Sequence, residues 1–358
     1  MPKTLSRSMK QPKNKVYAFP WIGFLIILGI MLLVASLTLT LGAASIPLDS
    51  SFKIFLAHIF ALQIDPQIPD SWDTIVWEIR LPRILLAATV GASLALAGST
   101  YQGIFQNHLA DPYLIGVASG AGFGATLSLL IFGSSLTVGM FTTVPITAFS
   151  VAILTVGIAY FLAKRHGGTQ TNTLILAGVA LGSLMSSLTT FLLMTSGKDI
   201  RPILSFLFGS FATASWQDVF IVLPYLTVGS MIILPLSRML NLLQLQQEQA
   251  IQLGVNTEKI RLYLLICSSL ITASAVSVSG VIGFIGLITP HCVRLVWGYD
   301  YRTLLPFSLL LGAIFLIVSD SIARMALAPQ EIPVGVVTAL FGSPFFLYIL
   351  RKRYQTWY

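Results

Sequence analysis

A chain of 358 residues that is 55% hydrophobic and only 9% charged cannot hide its apolar side chains inside one soluble globule, and it reads as an integral membrane protein. It carries 21 Lys and Arg against 13 Asp and Glu, a net charge of +8, and the way these charges are distributed makes the excess topological rather than a mark of nucleic-acid binding. The two cysteines, Cys267 and Cys292, form no CxxC pair, which excludes a disulfide framework or a zinc site and leaves packing as their role.

Charge-free runs are measured against the ~20 apolar residues a helix needs to cross the hydrocarbon core. Val16 to Leu48 is uncharged and holds a first span near Trp21 to Leu41. Basic residues ahead of an apolar run also describe a secretory signal, but this run is too long for a signal core, so an uncleaved first span is expected. Ile84 to Ala110 holds a second span, and Pro112 to Ala163 holds two more, broken near Gly133-Ser134-Ser135. Further spans follow at Thr173 to Met194, Val219 to Leu236, Leu262 to Val278, a short one at Val281 to Ile288, Leu304 to Ser319 and Val334 to Leu350. The expectation is an all-α polytopic protein of about ten spans, a length-rule count.

An even number of spans puts both termini on one side, and the positive-inside rule chooses which. With the termini in the cytoplasm, the inner segments hold the N-terminal cluster Lys3 to Lys15, Lys164 and Arg165, Arg238, Lys259, Arg261, Arg294, Arg302 and the C-terminal Arg351 to Arg353, which is most of the basic residues. Most acids then fall outside, among them Asp49, Asp65, Asp70, Asp73, Glu78, Asp320 and Glu331. On this reading Arg80, Arg83 and Arg324 lie at the outer face. RLPR, Arg80 to Arg83, thus sits at an outer helix mouth, where ordinary snorkelling and recognition of a partner's carboxylates are equally open.

Lipid gives no hydrophobic push between helices, so small residues must let backbones approach. Gly116, Gly120 and Gly124, and the ridge Gly91, Ala95, Gly98, mark two spans as buried against others. Asp111-Pro112 reads as a helix start with an Asp cap and Pro in the first turn, and Glu331 to Gly335 resembles it before the last span.

The chemistry on offer is sparse. No GxxxxGK[ST] loop occurs, since Gly197-Lys198 is followed by Asp199, and no HExxH occurs. The spans lack clustered Asp, His or Cys, so a metal that passes is expected to be wrapped in a chelate. A stretch of about 237–263 is too polar to cross; Met239, Leu242, Leu243, Ala250 and Leu253 follow a helical rhythm and Gly254 ends it. Two short amphipathic helices there would face either a soluble partner or the lipid interface.

Three long stretches resemble one family: RLPRILLAATVGASLALAGSTYQGIFQNHLADPYLIGVASGAG, LNLLQLQQEQAIQLGV, and the run from GVIGFIGLITPHCVRL to PQEIPVGVVTALFGSPFF. They occur in the order and spacing of the FecCD permeases of ATP-binding-cassette importers for iron-siderophores, haem and cobalamin. The resemblance implies one permease domain, residues 1–358, in a homodimer or close heterodimer in the cytoplasmic (inner) membrane. Its implied partners are two ATPase subunits, which hold ATP-Mg, a periplasmic or lipid-anchored binding protein, and membrane lipid, with no nucleic acid. The chain itself would need no cofactor and perform no reaction.

Carried over residue by residue, the resemblance makes Arg80, Arg83 and Arg324 the docking arginines for acidic residues on the binding protein. It makes Gln247, Glu248, Ala250, Leu253 and Gly254 the ATPase-coupling segment, and Thr171 and Asn172 the cytoplasmic gate. Gln246 and Gln247 stand where the family has Gly-Glu, and His108 where it has Pro. The mechanism implied is alternating access, with Fe(III)-siderophore the first expectation for cargo and cobalamin or haem behind it. An ion-coupled secondary transporter would have to use Asp320 and Glu331 as proton carriers; a membrane enzyme would need paired catalytic residues in the bilayer, which the sequence does not offer.

Overall fold

The computed structural model describes residues 19–42, 46–63, 65–133, 137–138, 141–165, 168–195, 200–245 and 256–354. In chain order the helices are α1 (Trp21–Thr40), α2 (Leu48–Phe60), α3 (Asp70–Thr74), α4 (Leu81–Phe105), α5 (Val117–Ile131), α6 (Thr143–Ala163), α7 (Thr171–Thr195), α8 (Arg201–Phe208), α9 (Trp216–Ile233), α10 (Ser237–Leu243), α11 (Thr257–Ser279), α12 (Ile285–Trp297), α13 (Tyr301–Met325) and α14 (Val334–Tyr354). A π-helical stretch, Ile75–Arg80, joins α3 to α4, and a 3-10 turn, Pro112–Ile115, precedes α5. Short two-stranded ladders link α5 to α6 and α6 to α7.

Among the described residues, seven helical runs are long and apolar enough to span: α1, the run from α3 through α4, α6, α7, α9, α11 and α13. Three shorter apolar helices, α5, α12 and the α14 stretch, complete the expected ten. Gly23 of α1 lies against Trp297 and Phe307, while the other end of α1 meets Arg80 through the Leu39 carbonyl. We call these the loop end, where α10 lies, and the RLPR end. α1 starts at the loop end, and α14 runs toward it from Glu331, so both termini leave from the same end.

The middle of the bundle is α4, whose residues from Val90 to Phe105 are all buried. Small residues make this possible. A Cβ on Gly91 would stand 2.3 Å from the Gly312 carbonyl of α13, and one on Gly98 would stand 2.4 Å from Gly286 of α12. Helices α4 and α13 therefore touch backbone to backbone, as the sequence ridge predicts.

Three local differences from the sequence reading have physical causes. The short span expected at Val281 to Ile288 starts later, at Ile285, because 280–284 is not helical: Gly280 and Phe284 both take positive φ, 69° and 71°. Non-helical backbone at membrane depth must be satisfied by protein. Here the Val281 amide donates to the Phe206 carbonyl (3.1 Å), the Ser210 amide to the Ser279 carbonyl (2.9 Å), and the Tyr113 hydroxyl to the Ile282 carbonyl (2.9 Å). The Asp111 side chain does cap, accepting from the Tyr113 amide at 2.8 Å, but it caps the 3-10 turn; α5 restarts after Gly116, whose φ is 86°. Glu331 is engaged by Arg83 rather than acting as a second such cap.

Candidate translocation face and the clusters at its two ends

At the RLPR end the three arginines do converge, but each is already engaged. Arg83 is 7% exposed and donates from Nε and Nη2 to both oxygens of Asp320, at 2.8–3.1 Å, and from Nη1 to Glu331 at 3.0 Å. Arg324 reaches the same Asp320 from one helical turn on, Nε to Oδ2 at 3.3 Å. Arg80, 4% exposed, donates to the Leu39 carbonyl at 2.5 Å. The sequence reading puts these side chains on an outer face and treats Asp320 and Glu331 separately. The fold joins Arg83, Arg324, Asp320 and Glu331, because α4 and α13 are antiparallel neighbours and the chain after α13 turns back over the Arg83 side chain, and it sets Arg80 nearby on the Leu39 carbonyl. With both oxygens clasped by arginine, Asp320 ties α13 to α4. Three cations and two carboxylates leave the cluster one positive charge in excess.

At the loop end a second polar cluster forms. Asp300 caps α13, accepting from the Arg302 amide (2.9 Å) and from its guanidinium (2.6–3.1 Å). Partial burial opposes ionisation of Asp300, yet the hydrogen bonds from Arg302 and Asn241 prevail and hold its carboxyl below the usual range. Buried Arg294 donates to Gln102 Oε1 at 2.5 Å, and Gln102 Nε2 to the Gly286 carbonyl at 3.1 Å. Gln247, Glu248, Ala250, Leu253 and Gly254, the sequence-predicted coupling residues, lie outside the described residues, as do Gln246 and the second amphipathic piece. The first piece is α10.

Between the two ends lies a face that the chain itself leaves uncovered. In α7, Asn172, Ser183, Ser186, Ser187 and Thr190 are all exposed and recur at helical spacing on one side, with Leu176 68% exposed and Val179 49% exposed among them. The stripe from position 172 to 190 is about 27 Å long at helical rise. Two of its hydroxyls are satisfied within the helix, Ser187 donating to the Ser183 carbonyl (2.9 Å) and Thr190 to that of Ser186 (3.0 Å). Such a side is less apolar than a lipid-facing surface without demanding a fixed partner. Asn172 and half-buried Thr171, the sequence-predicted gate residues, open the stripe at its loop end.

Helix α5 backs this face on two sides, Ser119 meeting Gly182 of α7 and Gly122 meeting Leu207 of α8. Next along, Phe208 at the end of α8 abuts Gly335 at the start of α14, where a Cβ would stand 2.1 Å from the Phe208 carbonyl. An open apolar groove of about 510 Å³ runs there between Leu207, Phe208, Val281, Val336, Leu340 and Pro344. The α7 hydroxyls and this groove were missed from the sequence, although the 3–4 spacing of Ser183, Ser187 and Thr190, with Asn172 eleven residues before on the same side, was there to be read. The groove depends on α8, too short to register as a span.

Comparison with known proteins gives this geometry a family. The FecCD transport family matches residues 27–352. The cobalamin import system permease protein BtuC of Halobacterium salinarum is 44% identical over 298 residues, covering 83% of this chain and 79% of its own length. The molybdate import system permease protein MolB of Haemophilus influenzae is 37% identical over 326 residues, 90% and 93% of the two chains. A solved inward-facing structure of a putative metal-chelate type ABC transporter is 33% identical, with a TM-score of 0.80 over 93% of this chain and 100% of its own. A bundle of seven long and three short apolar helices, its termini at one end and a hydroxyl-bearing face along one side, thus belongs to the FecCD transport family, the multi-pass permease subunits of ABC importers.

Proposed function

We propose that this chain pairs with a second copy, or a close relative, and carries a metal chelate inward by alternating access, with both termini in the cytoplasm. The observation that carries this reading is the α7 stripe, because an exposed Asn172 at one end and exposed hydroxyls from Ser183 to Thr190 farther along fit a water-filled passage between two subunits better than contact with lipid. The apolar groove beside α8 and α14 adds a surface suited to a bulky cargo whose metal is already wrapped. Fe(III)-siderophore and a corrinoid such as cobalamin both fit that chemistry. The 44% identity to a cobalamin permease favours the second, and the breadth of the family's use of siderophores favours the first.

On this reading Thr171 and Asn172 from both subunits close the inner exit. Gln247, Glu248, Ala250, Leu253 and Gly254 sit on an ATPase subunit that holds ATP-Mg, and the two ATPases drive the cycle. Arg80, Arg83 and Arg324 receive a binding protein above. Because Asp320 and Glu331 already engage Arg83, a partner's carboxylates would share or displace internal ones, and the excess positive charge of the cluster is what draws them. The test is uptake by proteoliposomes holding this permease with its ATPase, supplied with binding protein and radiolabelled ferric siderophore or cobalamin. Accumulation of one of them that requires ATP supports the reading. Accumulation that ignores ATP and collapses with the proton gradient contradicts it.

A further inference from the structure

The loop-end cluster contains an arrangement that neither the docking nor the gating residues explain. The N-terminus of a helix leaves several amides without intrahelical acceptors, and a side chain from the same strand of chain commonly supplies one. Helix α13 has that local cap in Asp300, but the next amide is served from elsewhere: Tyr301 N donates to Oδ1 of Asn241, which belongs to α10, at 3.0 Å. The same amide group of Asn241 donates from Nδ2 to Asp300 Oδ1 at 2.7 Å. One Asn side chain therefore closes the cap of a helix sixty residues away, using both its donor and its acceptor.

Helix α10 is bolted on its other side to α4. Gln244 Nε2 donates to the Gly103 carbonyl at 3.0 Å, and Gln106 Nε2 donates to the Leu243 carbonyl. Gly103 lets the three elements meet, since a Cβ there would lie 2.6 Å from Leu240 of α10 and 3.1 Å from the ring of Tyr301. Leu240 and Tyr301 are 0% and 2% exposed. From this junction α13 runs about 30 Å to Asp320 at helical rise, touching α4 through Gly91 and Gly312 on the way, and its far end grips Arg83 of the same α4. The α4–α13 pair is thus held together at both ends and in the middle, and α10 attaches to both its members at one end.

We propose that Asn241 is a positioning residue for coupling: through Asp300 and the Tyr301 amide it fastens the start of the cytoplasmic loop to α13. A displacement of the loop then moves α4 and α13 as one body rather than bending α10 alone. This rests on the importer reading above. Asn241 touches neither cargo nor nucleotide, so its loss would show in how many chelates enter per ATP, not in which chelate is recognised.

The chemistry allows an exchange of roles. In Asn241→Asp, two carboxylates face each other where a 2.7 Å hydrogen bond stood, while the acceptor for Tyr301 N is kept. Adding Asp300→Asn removes the second carboxylate and restores a donor on the α13 side, at the expense of the Oδ1 that also accepts from the Arg302 amide.

The assembled importer in proteoliposomes, with its ATPase and binding protein, is assayed for chelate imported per ATP hydrolysed. Asn241→Asp and Asn241→Ala should lower that ratio about tenfold, the loss expected for a hydrogen bond to a charged group. The double variant Asn241→Asp with Asp300→Asn should recover part of it. Hydrogen exchange at the Tyr301 amide in the same wild-type and Asn241→Ala preparations gives a second readout, with faster exchange expected in the variant while α9 amides are unchanged. An unaltered ratio in Asn241→Asp, a double variant as poor as the single ones, or unchanged Tyr301 exchange overturns the proposal. A wild-type complex that imports no chelate with ATP overturns the importer reading itself, and is told apart because it fails before any variant is made.

Discussion

Helices α4 and α7 are both uncharged through their middles, and both span 25 residues, yet they do opposite work. The most apolar stretch of the α4 run is 83% buried within the chain, that of α7 only 17%. What separates them is where the small and polar residues sit. In α4, Gly91, Ala95 and Gly98 lie on one side and admit neighbouring backbones, and Ser99 and Thr100 turn their hydroxyls onto the carbonyls of Ala95 and Leu96. In α7 the hydroxyls turn onto carbonyls in the same way but remain at the surface. Hydropathy does not distinguish a buried helix from an exposed one in this protein; the exposure of the small polar residues does.

The comparison is broken most severely by attacking the frame. Gly98→Leu would drive a side chain into Gly286, where the obstacle is backbone 2.4 Å from the first added atom and no rotamer gives relief. We expect little protein in the membrane, measured by quantitative blotting, whereas Gly157→Leu on α6, where the added Cβ meets nothing within 4 Å, should accumulate normally. Equal amounts of both would mean that α4 is not the packed centre.

A step down in size is the clasp at the RLPR end. Arg83→Ala leaves Asp320 and Glu331 without their principal cation, and breaking a buried pair costs about 3–5 kcal/mol, so the detergent-solubilised protein should melt well below wild type. Arg83→Ala with Asp320→Asn and Glu331→Gln should regain part of that stability without regaining binding-protein association. A triple variant no more stable than Arg83→Ala would show that charge pairing is not what the cluster supplies.

The lining helix should be tolerant where the frame is not. Thr190→Val removes one hydroxyl whose partner is its own helix, and even a side-chain hydrogen bond between membrane helices is worth only about 0.6 kcal/mol. Thermal stability should barely change, while uptake falls modestly as the stripe loses polarity. A large loss of stability would return α7 to the frame.

Much of this was legible beforehand. The ten apolar runs, the glycine ridge of α4 and the placement of Arg80, Arg83 and Arg324 at one face follow from residue type and spacing. What was not legible needed a partner far along the chain: Asp320 and Glu331 are bound to Arg83 across more than two hundred residues, and Asn241 is bound to Asp300 across 59. The break at 280–284 was visible only as glycines, because its hydrogen bonds are made with Phe206 and Tyr113. α8 escaped notice for being shorter than a span, though it shapes the apolar groove.

The central claim is that α7 from two copies faces a shared passage whose inner exit is at Asn172. Its most direct test is a disulfide across the subunits. In a background where Cys267 and Cys292 are replaced by Ser, Asn172→Cys is oxidised in membranes containing the assembled importer, with nucleotide absent or trapped. The account predicts a disulfide-linked permease dimer that forms more readily in one nucleotide state than in the other. No linked dimer in either state, or the same yield in both, would contradict it.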